Sequence, residues 1–432
     1  MTYRFASQDT LDLTSAGLGG QVDLAAATGN CSVLCADGWG NVWMILRNLS
    51  ALTYDFYCLT RLGNIVGPTS IDIEANFDSL LGTRRYHGVG FLRSAGCHWM
   101  LTTSRTESAT SPNSACAAVG RATLNASQDE ITVTSNGAAP WPNVNFGSPG
   151  GVSPGVYVTP SGLARCIDGD LVTITIEFYQ ASATKKYSVI KFDPATGNAR
   201  SNFPATLTSS NFGTGAIDEP SFCADSLQLG LDGWLYLPVI RSSAAANLVR
   251  FKVDSSGIAG FETLRNLATD FSGIASSFGF PTNGTMIQLS NGSMYFALRG
   301  GTTTSARGIY AAGFGSAPAA LGSLPANFEF PVIPSVLNAE AMGTGFAIPD
   351  GFILYGIGAS PEQTTLRWVR FDTAGAVVSS STAPSGSTWP SGKPASPGAT
   401  WGQQRFGCAP SDNAGWRLIN VELPQVPRSV TQ

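Results

Sequence analysis

A short turn signature, a small or polar residue followed by glycine, recurs seven times along the 432 residues. The seven are Asp37-Gly38, Ala95-Gly96, Asp168-Gly169, Asp232-Gly233, Asn291-Gly292, Asp350-Gly351 and Ala414-Gly415, with glycines 58, 73, 64, 59, 59 and 64 residues apart. Each glycine leads into a strand-like run: WGNVWMIL, CHWMLTTS, DLVTITIEFY, WLYLPVI, SMYFALRG, FILYGIGA and WRLINVEL. Asp-Gly and Asn-Gly between such runs favour a type I′ turn, whose two central residues both take φ > 0. A long, nearly fixed period of β units restricts the chain to a repeated all-β architecture.

The repeat has a second half. About 18 to 23 residues after most of the glycines lies another strand-like run, usually ending in an aromatic residue. The copies are Tyr187–Phe192 followed by Asp193-Pro194, Leu248–Phe251, Leu366–Phe371 followed by Asp372, and the looser Gly308–Phe314. Tyr54–Cys58 and Ala115–Val119 are less regular equivalents. The seventh hairpin has no such partner downstream, because only 17 residues follow Gly415. Thr2-Tyr3-Arg4-Phe5 supplies one at the other terminus, resembling Leu248–Phe251.

From Tyr3 to Leu423 this pattern resembles a seven-bladed β-propeller, in architecture only. The period is longer than that of WD40 or kelch repeats, and neither signature occurs. The resemblance implies an all-β fold with residues 1–432 as a single propeller domain. The last blade is expected to take its inner pair of strands from the C-terminus and its outer pair from the N-terminus, which removes exposed edges. Two Pro/Gly/Ser-rich segments, 137–162 and 382–402, read as long loops between blades.

Composition narrows the function. Charged residues are 12% of the chain, against about 25% in typical soluble domains. With a net charge of −4 and no basic patch, nucleic acid is not an expected partner. No apolar run is long enough to span a bilayer as a helix, so membrane insertion is not expected. The start, MTYRFASQDT, lacks the basic and apolar regions of a secretory signal, which predicts synthesis and folding in a cytoplasm. The eight cysteines show no metal-ligand spacing, and there are only two histidines, so neither a metal nor a cofactor is expected. They read as small buried apolar residues. Cys31 and Cys35 read as sharing a strand face, and Cys97 and Cys116 as lying on adjacent strands.

The residues with chemical potential fall in the segments that enter the innermost strands. A carboxylate pair suits glycoside hydrolysis, one as acid and the other as nucleophile or base, and Glu219 and Glu340 are the candidate pair. The simpler reading has such residues bonding loop backbone or lining a solvated channel. Trp141, Trp389 and Trp401, on the Pro/Gly/Ser-rich segments, are candidate stacking platforms, with Arg84, Arg85 and Arg405 as candidate binding residues. No Walker A, GxSxG, HExxH or EF-hand pattern occurs, and Asp168-Gly169-Asp170 belongs to the turn series rather than to a calcium loop.

A low-charge chain rich in Ser, Thr, Gly and Ala, with irregular Trp-bearing loops, resembles the propeller proteins of tailed-bacteriophage virions. That resemblance implies a non-enzymatic tail component located in the virion. Its partners would be other virion structural proteins and, on the outer side, a host-surface glycan. The alternatives are a polysaccharide-active propeller enzyme, hydrolase or lyase, and a bacterial lectin-like or scaffold propeller.

Overall fold

The computed structural model describes residues 4–11, 31–37, 39, 41–48, 53–60, 62, 64–72, 85–89, 96–104, 115–135, 156–160, 163–179, 184–208, 211, 221–222, 227–240, 246–266, 278–279, 286–300, 306–312, 319–323, 328–329, 344–348, 350–358, 366–382, 395–401, 405–410 and 416–422. Among these the regular structure is entirely β, with no α-helix, and so no helix long and apolar enough to cross a membrane.

The strands form seven antiparallel sheets, each in up-and-down order. Sheet I contains Cys31–Ala36, Val42–Asn48, Thr53–Leu59 and Ile65–Asp72. Sheet II contains Arg85–Val89, Gly96–Ser104, Ala115–Leu124 and Ile131–Ser135. In sheets III to VI two short segments pair with the second strand and together stand for the first. Sheet III has Val156–Pro160 and Ala164–Arg165, then Leu171–Tyr179, Thr184–Phe192 and Ala205–Leu207. Sheet IV has Ser221–Phe222 and Gln228–Leu229, then Leu235–Ile240, Ala246–Asp254 and Gly257–Asn266. Sheet V has Phe278–Gly279 and Met286–Gln288, then Met294–Gly300, Ala306–Ala312 and Ala319–Ser323. Sheet VI has Phe328–Glu329 and Thr344–Ile348, then Gly351–Gly358, Leu366–Asp372 and Val377–Thr382. Sheet VII joins Ala395–Trp401, Arg405–Pro410 and Trp416–Glu422 to Arg4–Leu11. Repetition of small meandering sheets of this kind is the β-propeller pattern.

First strands meet from sheet to sheet. Cys31–Ala36 touches Ala395–Trp401 on one side and Arg85–Val89 on the other. Val156–Pro160 touches Gly96–Ser104, Ala164–Arg165 touches Gln228–Leu229, and Thr344–Ile348 touches both Met286–Gln288 and Ala395–Trp401. Between sheets IV and V the Gln288 amide, oriented to satisfy both partners, donates to the Leu229 carbonyl at 3.3 Å and accepts from the Leu231 amide at 2.9 Å. Further out, Thr69 donates to the Ile131 carbonyl at 2.8 Å and Asn202 to the Ser255 carbonyl at 2.6 Å.

Sheets that pack face to face bury their strands on both sides, which removes the one-sided alternation of a surface sheet. Tyr54 to Leu59 are all buried. Between sheets I and II, Trp43, Ile45, Phe56 and Cys58 pack on Cys97, Trp99, Ala122 and Leu124, with the Phe56 and Trp99 rings 5.4 Å apart. Between III and IV, Val172, Ile174, Tyr187 and Val189 meet Leu235, Leu237, Val249 and Phe251. Between V and VI, Tyr295 stacks on Phe352 at 4.5 Å, and Phe352 on Phe371 at 4.7 Å. Gly120 is required by this packing: a Cβ there would lie 2.0 Å from the Thr134 carbonyl oxygen and 2.4 Å from the Trp99 ring.

Six of the seven post-glycine runs are second strands, and the runs that follow them in sheets I to VI are third strands; the seventh, Trp416–Glu422, is the third strand of sheet VII and Phe5 lies in the fourth. Four details differ. The turns at Gly169, Gly233 and Gly292 are not type I′. Only the glycine has φ > 0, at 93°, 78° and 88°. Its amide donates to the carbonyl three residues back, at 2.9, 3.0 and 2.9 Å. This is a type I turn closed by a left-handed glycine bulge. The aspartate side chain explains the preference, because Asp168 Oδ1 accepts from the Asp170 amide and Asp232 Oδ1 from the Trp234 amide, both at 3.1 Å. Those bonds favour the type I form.

The last sheet takes three strands from the C-terminal part and, among the described residues, one from the N-terminal part, rather than two from each. Both segments read as loops hold a strand: Val156–Pro160 lies within 137–162, and Ala395–Trp401 within 382–402. Proline is admissible there because these strands lie at sheet edges. Cysteine placement also changes. An irregularity between Val33 and Cys35 sets Cys31 opposite Leu46 but Cys35 opposite Trp43, register positions of opposite parity. Cys97 lies opposite Ala122 and Cys116 opposite Thr103, too far along the pair of strands to bond.

Candidate functional site

Charge gathers at the edge of the sheets where first strands turn into second strands and third into fourth. In sheet I the buried carboxylate of Asp37 organises its own turn. Oδ1 accepts from the Trp39 and Asn41 amides at 2.9 and 3.0 Å, and Oδ2 accepts from Asn41 Nδ2 and Trp43 Nε1, both at 2.9 Å. A carboxylate can be buried when its lone pairs are met in this way. Asp55 is treated similarly, accepting from Thr53 and Ser70 at 2.7 Å each.

In sheets III, IV and VI the turn aspartate is bound by a basic residue of the third strand. Lys191, whose side chain is only 3% exposed, contacts Asp168 at 2.5 Å and Asp170 at 3.3 Å. Arg370 reaches Asp350 at 2.6 Å. Arg250 lies 3.5 Å from Asp232 and 2.7 Å from Glu262. All three bases immediately precede the aromatic residue of their strand: Lys191-Phe192, Arg250-Phe251 and Arg370-Phe371. A straight ladder places that residue on the face opposite the aromatic, beside the turn.

Sheet III carries the densest cluster. Arg200 adds a fork to Asp170, at 2.9 Å from Nε and 2.5 Å from Nη2, and reaches Asp193 at 3.0 Å. Burial pushes the Asp170 carboxyl up, but the Arg200 hydrogen bonds and the charges of Lys191 and Arg200 outweigh it and hold the group below its ordinary value. Burial likewise pulls Lys191 down, while the hydrogen bond to Asp168 and the charges of both aspartates leave it raised.

Sheet IV presents a mixed patch. Tyr236 donates to Asp232 at 2.7 Å, and the guanidinium of Arg250 lies 4.4 Å from the centre of the Trp234 ring, with Lys252 Nζ at 4.7 Å. Both cations lie within cation–π range of the one indole. Leu231 and, from sheet III, Ile167 project into solvent nearby, and Ile167 Cδ1 lies 3.4 Å from where a Cβ on Gly233 would be. The arrangement offers a rim of turns with fixed charges and exposed apolar tips, suited to holding a macromolecular surface. Among the described residues no group of three or more His, Cys, Asp or Glu side chains is set to hold a metal ion.

Of the residues expected from sequence, Glu219, Glu340, Trp141, Trp389 and Arg84 lie outside the described residues. Arg85 begins the first strand of sheet II, opposite Thr102. Trp401 and Arg405 are brought together, directly opposite each other across residues 402–404 in sheet VII. Sequence reasoning did not single out Lys191, Arg250, Arg370 or Trp234. For the three bases the signal was present, as the basic residue before the third-strand aromatic in sheets III, IV and VI.

No family model matches the chain, and no curated protein matches it. Solved structures are similar at low identity. A polysaccharide lyase of family PL25, an ulvan lyase, has 9% identity and a TM-score of 0.49, over 90% of this chain and 93% of that one. A protein from Lactobacillus plantarum has 12% and 0.45, over 84% and 87%. The intramolecular trans-sialidase from Ruminococcus gnavus has 9% and 0.41, over 90% and 93%. At these scores none bears on the activity of this chain, and the propeller assignment rests on its own strand topology.

Proposed function

We propose that the chain is a seven-bladed propeller closed by the pairing of Arg4–Leu11 with Trp416–Glu422, and that it serves as a non-enzymatic virion component, in the tail of a bacteriophage particle. One face docks on other virion structural proteins and the opposite face engages a host-surface glycan. Support for closure comes from the antiparallel register of those two strands, Arg4 opposite Glu422 through Leu11 opposite Trp416. It comes also from the sheet-to-sheet contacts, which run from sheet I through sheet VII and back to sheet I.

The observation that carries the non-enzymatic reading is the use made of charge. Asp37, Asp55, Asp170 and Lys191 are buried and spend their hydrogen-bonding capacity on turns and neighbouring strands. Acid–base catalysis needs a group free to exchange a proton with substrate, whereas a docking protein needs a braced rim. Low charge and a surface of hydroxyls and small residues suit packing in a large assembly. Mass spectrometry of purified particles tests the proposal: the protein is expected at stoichiometric copy number, and its absence from intact particles refutes a virion role.

The second reading is a polysaccharide-active enzyme using Glu219 and Glu340. It is favoured by where those residues fall in the chain. Glu219 lies two residues before Ser221–Phe222, and Glu340 lies between the two segments that form the first strand of sheet VI. Polysaccharide turnover lost in both Glu219→Gln and Glu340→Gln would put this reading first; turnover retained in both variants removes it.

A further inference from the structure

We propose that the edge carrying the first-to-second and third-to-fourth turns is the docking face, and that its partner is a cationic protein surface with apolar hollows; this rests on the assembly role proposed above and assigns it to one side of the disc. Six large apolar side chains are exposed on that edge. Trp39, Ile167 and Leu231 stand on first-to-second turns of sheets I, III and IV, and Leu62 on the third-to-fourth turn of sheet I. Val377 and Val378 open the fourth strand of sheet VI. Leu62 and Ile167 are 75% and 80% exposed. From sheet III to sheet VI the turns adjoin one another. Ile167 Cδ1 lies 3.4 Å from the Cβ position of Gly233, Asn202 bonds the Ser255 carbonyl, the Gln288 amide accepts from Leu231, and the Tyr295 hydroxyl donates to the Thr373 carbonyl at 2.5 Å. Single apolar residues on a surface are ordinary, but a set gathered on one side and rimmed by charge marks an interaction site. Because these tips belong to different sheets, an occupant that covers them spans several sheets, which a small ligand does not.

Charge selects the occupant. Lys191 and Arg200 are bound by Asp168, Asp170 and Asp193, Arg250 by Asp232 and Glu262, and Arg370 by Asp350. Arg165 donates to the Gly169 carbonyl of its own turn at 3.2 Å, and Lys252 Nζ lies 4.7 Å from the centre of the Trp234 ring. Four carboxylates of the third-to-fourth turns, Asp129 and Glu130 of sheet II, Asp254 of sheet IV and Asp372 of sheet VI, form no ion pair among the described residues. Asp129, Asp254 and Asp372 accept instead from neighbours in their own turns. With Lys252 as the exception, the charge left facing outward is acidic. A second copy of this face would set acid against acid, and anionic glycan, phospholipid or nucleic acid is repelled for the same reason. Lys and Arg of a partner protein are attracted, and they meet carboxylates already fixed by their turns.

Co-sedimentation of the full-length protein with purified particles assembled in its absence tests the docking face, with far-UV circular dichroism as the check on folding. Ile167→Asp combined with Leu231→Asp is expected to weaken binding about tenfold or more. Glu130→Gln, Asp254→Asn and Asp372→Asn together keep an acceptor oxygen in each turn and remove only charge. They are expected to weaken binding about threefold to tenfold at low salt, a difference that closes as salt is raised. Carbodiimide coupling on the particle should join the turns of Asp254 and Asp372 to lysines of a second virion protein. Wild type that binds no particle overturns the assembly role and this docking face with it. Wild type that binds no better than the Ile167→Asp, Leu231→Asp variant overturns the docking face alone. Binding strengthened by removal of the three carboxylates indicates an anionic occupant and also overturns it. So does self-association of the protein that is lost in the Ile167→Asp, Leu231→Asp variant, which indicates a second copy.

Discussion

The buried ammonium of Lys191 gives the sharpest energetic test of how the turns are braced. Its side chain is 3% exposed and its compensating charges are Asp168 and Asp170. Replacing both aspartates by asparagine preserves shape but leaves the nearly buried Lys191 ammonium without a carboxylate beside it. Breaking a buried pair from one side costs about 3–5 kcal/mol, because the remaining charge keeps its desolvation penalty. Adding Lys191→Met removes that charge, and replacing a whole buried ion pair by apolar groups is close to neutral. The order of stability in urea should be wild type, then the triple variant close behind, with the double variant far below both. The assay is the urea midpoint followed by intrinsic fluorescence and by far-UV circular dichroism. A triple variant no more stable than the double one would refute the reasoning, since the loss would then come from the turn and not from the stranded charge.

Three further outcomes follow from the same geometry. Because Asp170 is held below its ordinary value, its share of stability is fully present above about pH 4 and is lost as pH falls through the depressed value; Lys191, held above its ordinary value, contributes below about pH 10 and ceases to as pH rises through its raised value. Urea midpoints between pH 2 and pH 11 should show both limbs in wild type and neither, at this site, in the triple variant. Gly120→Ala forces a Cβ to 2.0 Å from the Thr134 carbonyl and should cost several kcal/mol, whereas Gly257→Ala meets nothing within 4 Å and should cost about 1 kcal/mol through its positive φ alone; thermal unfolding of the two variants distinguishes them. Burial pushes the thiols of Cys58 and Cys97 up, and that of Cys166 up to about 12, so a disulfide-exchange reagent at pH 7.5 should modify these three only after denaturant is added.

Much of this architecture was legible because the turn chemistry and the strand periods agree. An aspartate or asparagine before glycine marked the start of the second strand in sheets I and III to VI, and Phe192, Phe251 and Phe371 marked the far parts of third strands. The first strands of sheets III to VI were not legible. Segments of two residues, such as Phe278–Gly279, carry no periodicity, and they exist only because a longer second strand offers them a ladder. Ala395–Trp401 was hidden by its prolines and glycines, which an edge strand tolerates and an isolated sequence window does not reveal. The turn type was missed because Asp168 and Asp232 bond the amides two residues on, a local preference that outweighs the hairpin's usual twist match. Of the site, the basic residues were visible but uninterpreted: Lys191, Arg250 and Arg370 find their aspartates 18 to 23 residues back in the chain, a spacing that has meaning only once the strands are laid side by side.

The measurement that tests the central claim most directly is a cryo-EM map of the purified particle that carries this protein, or of the protein alone if no particle contains it. The expected result is a ring of seven blades, with Arg4–Leu11 as an outer strand of the last, seated against a tail protein through one face of the disc. A free monomer in which Glu219 and Glu340 face each other across an open channel would contradict the assembly role and favour the enzyme.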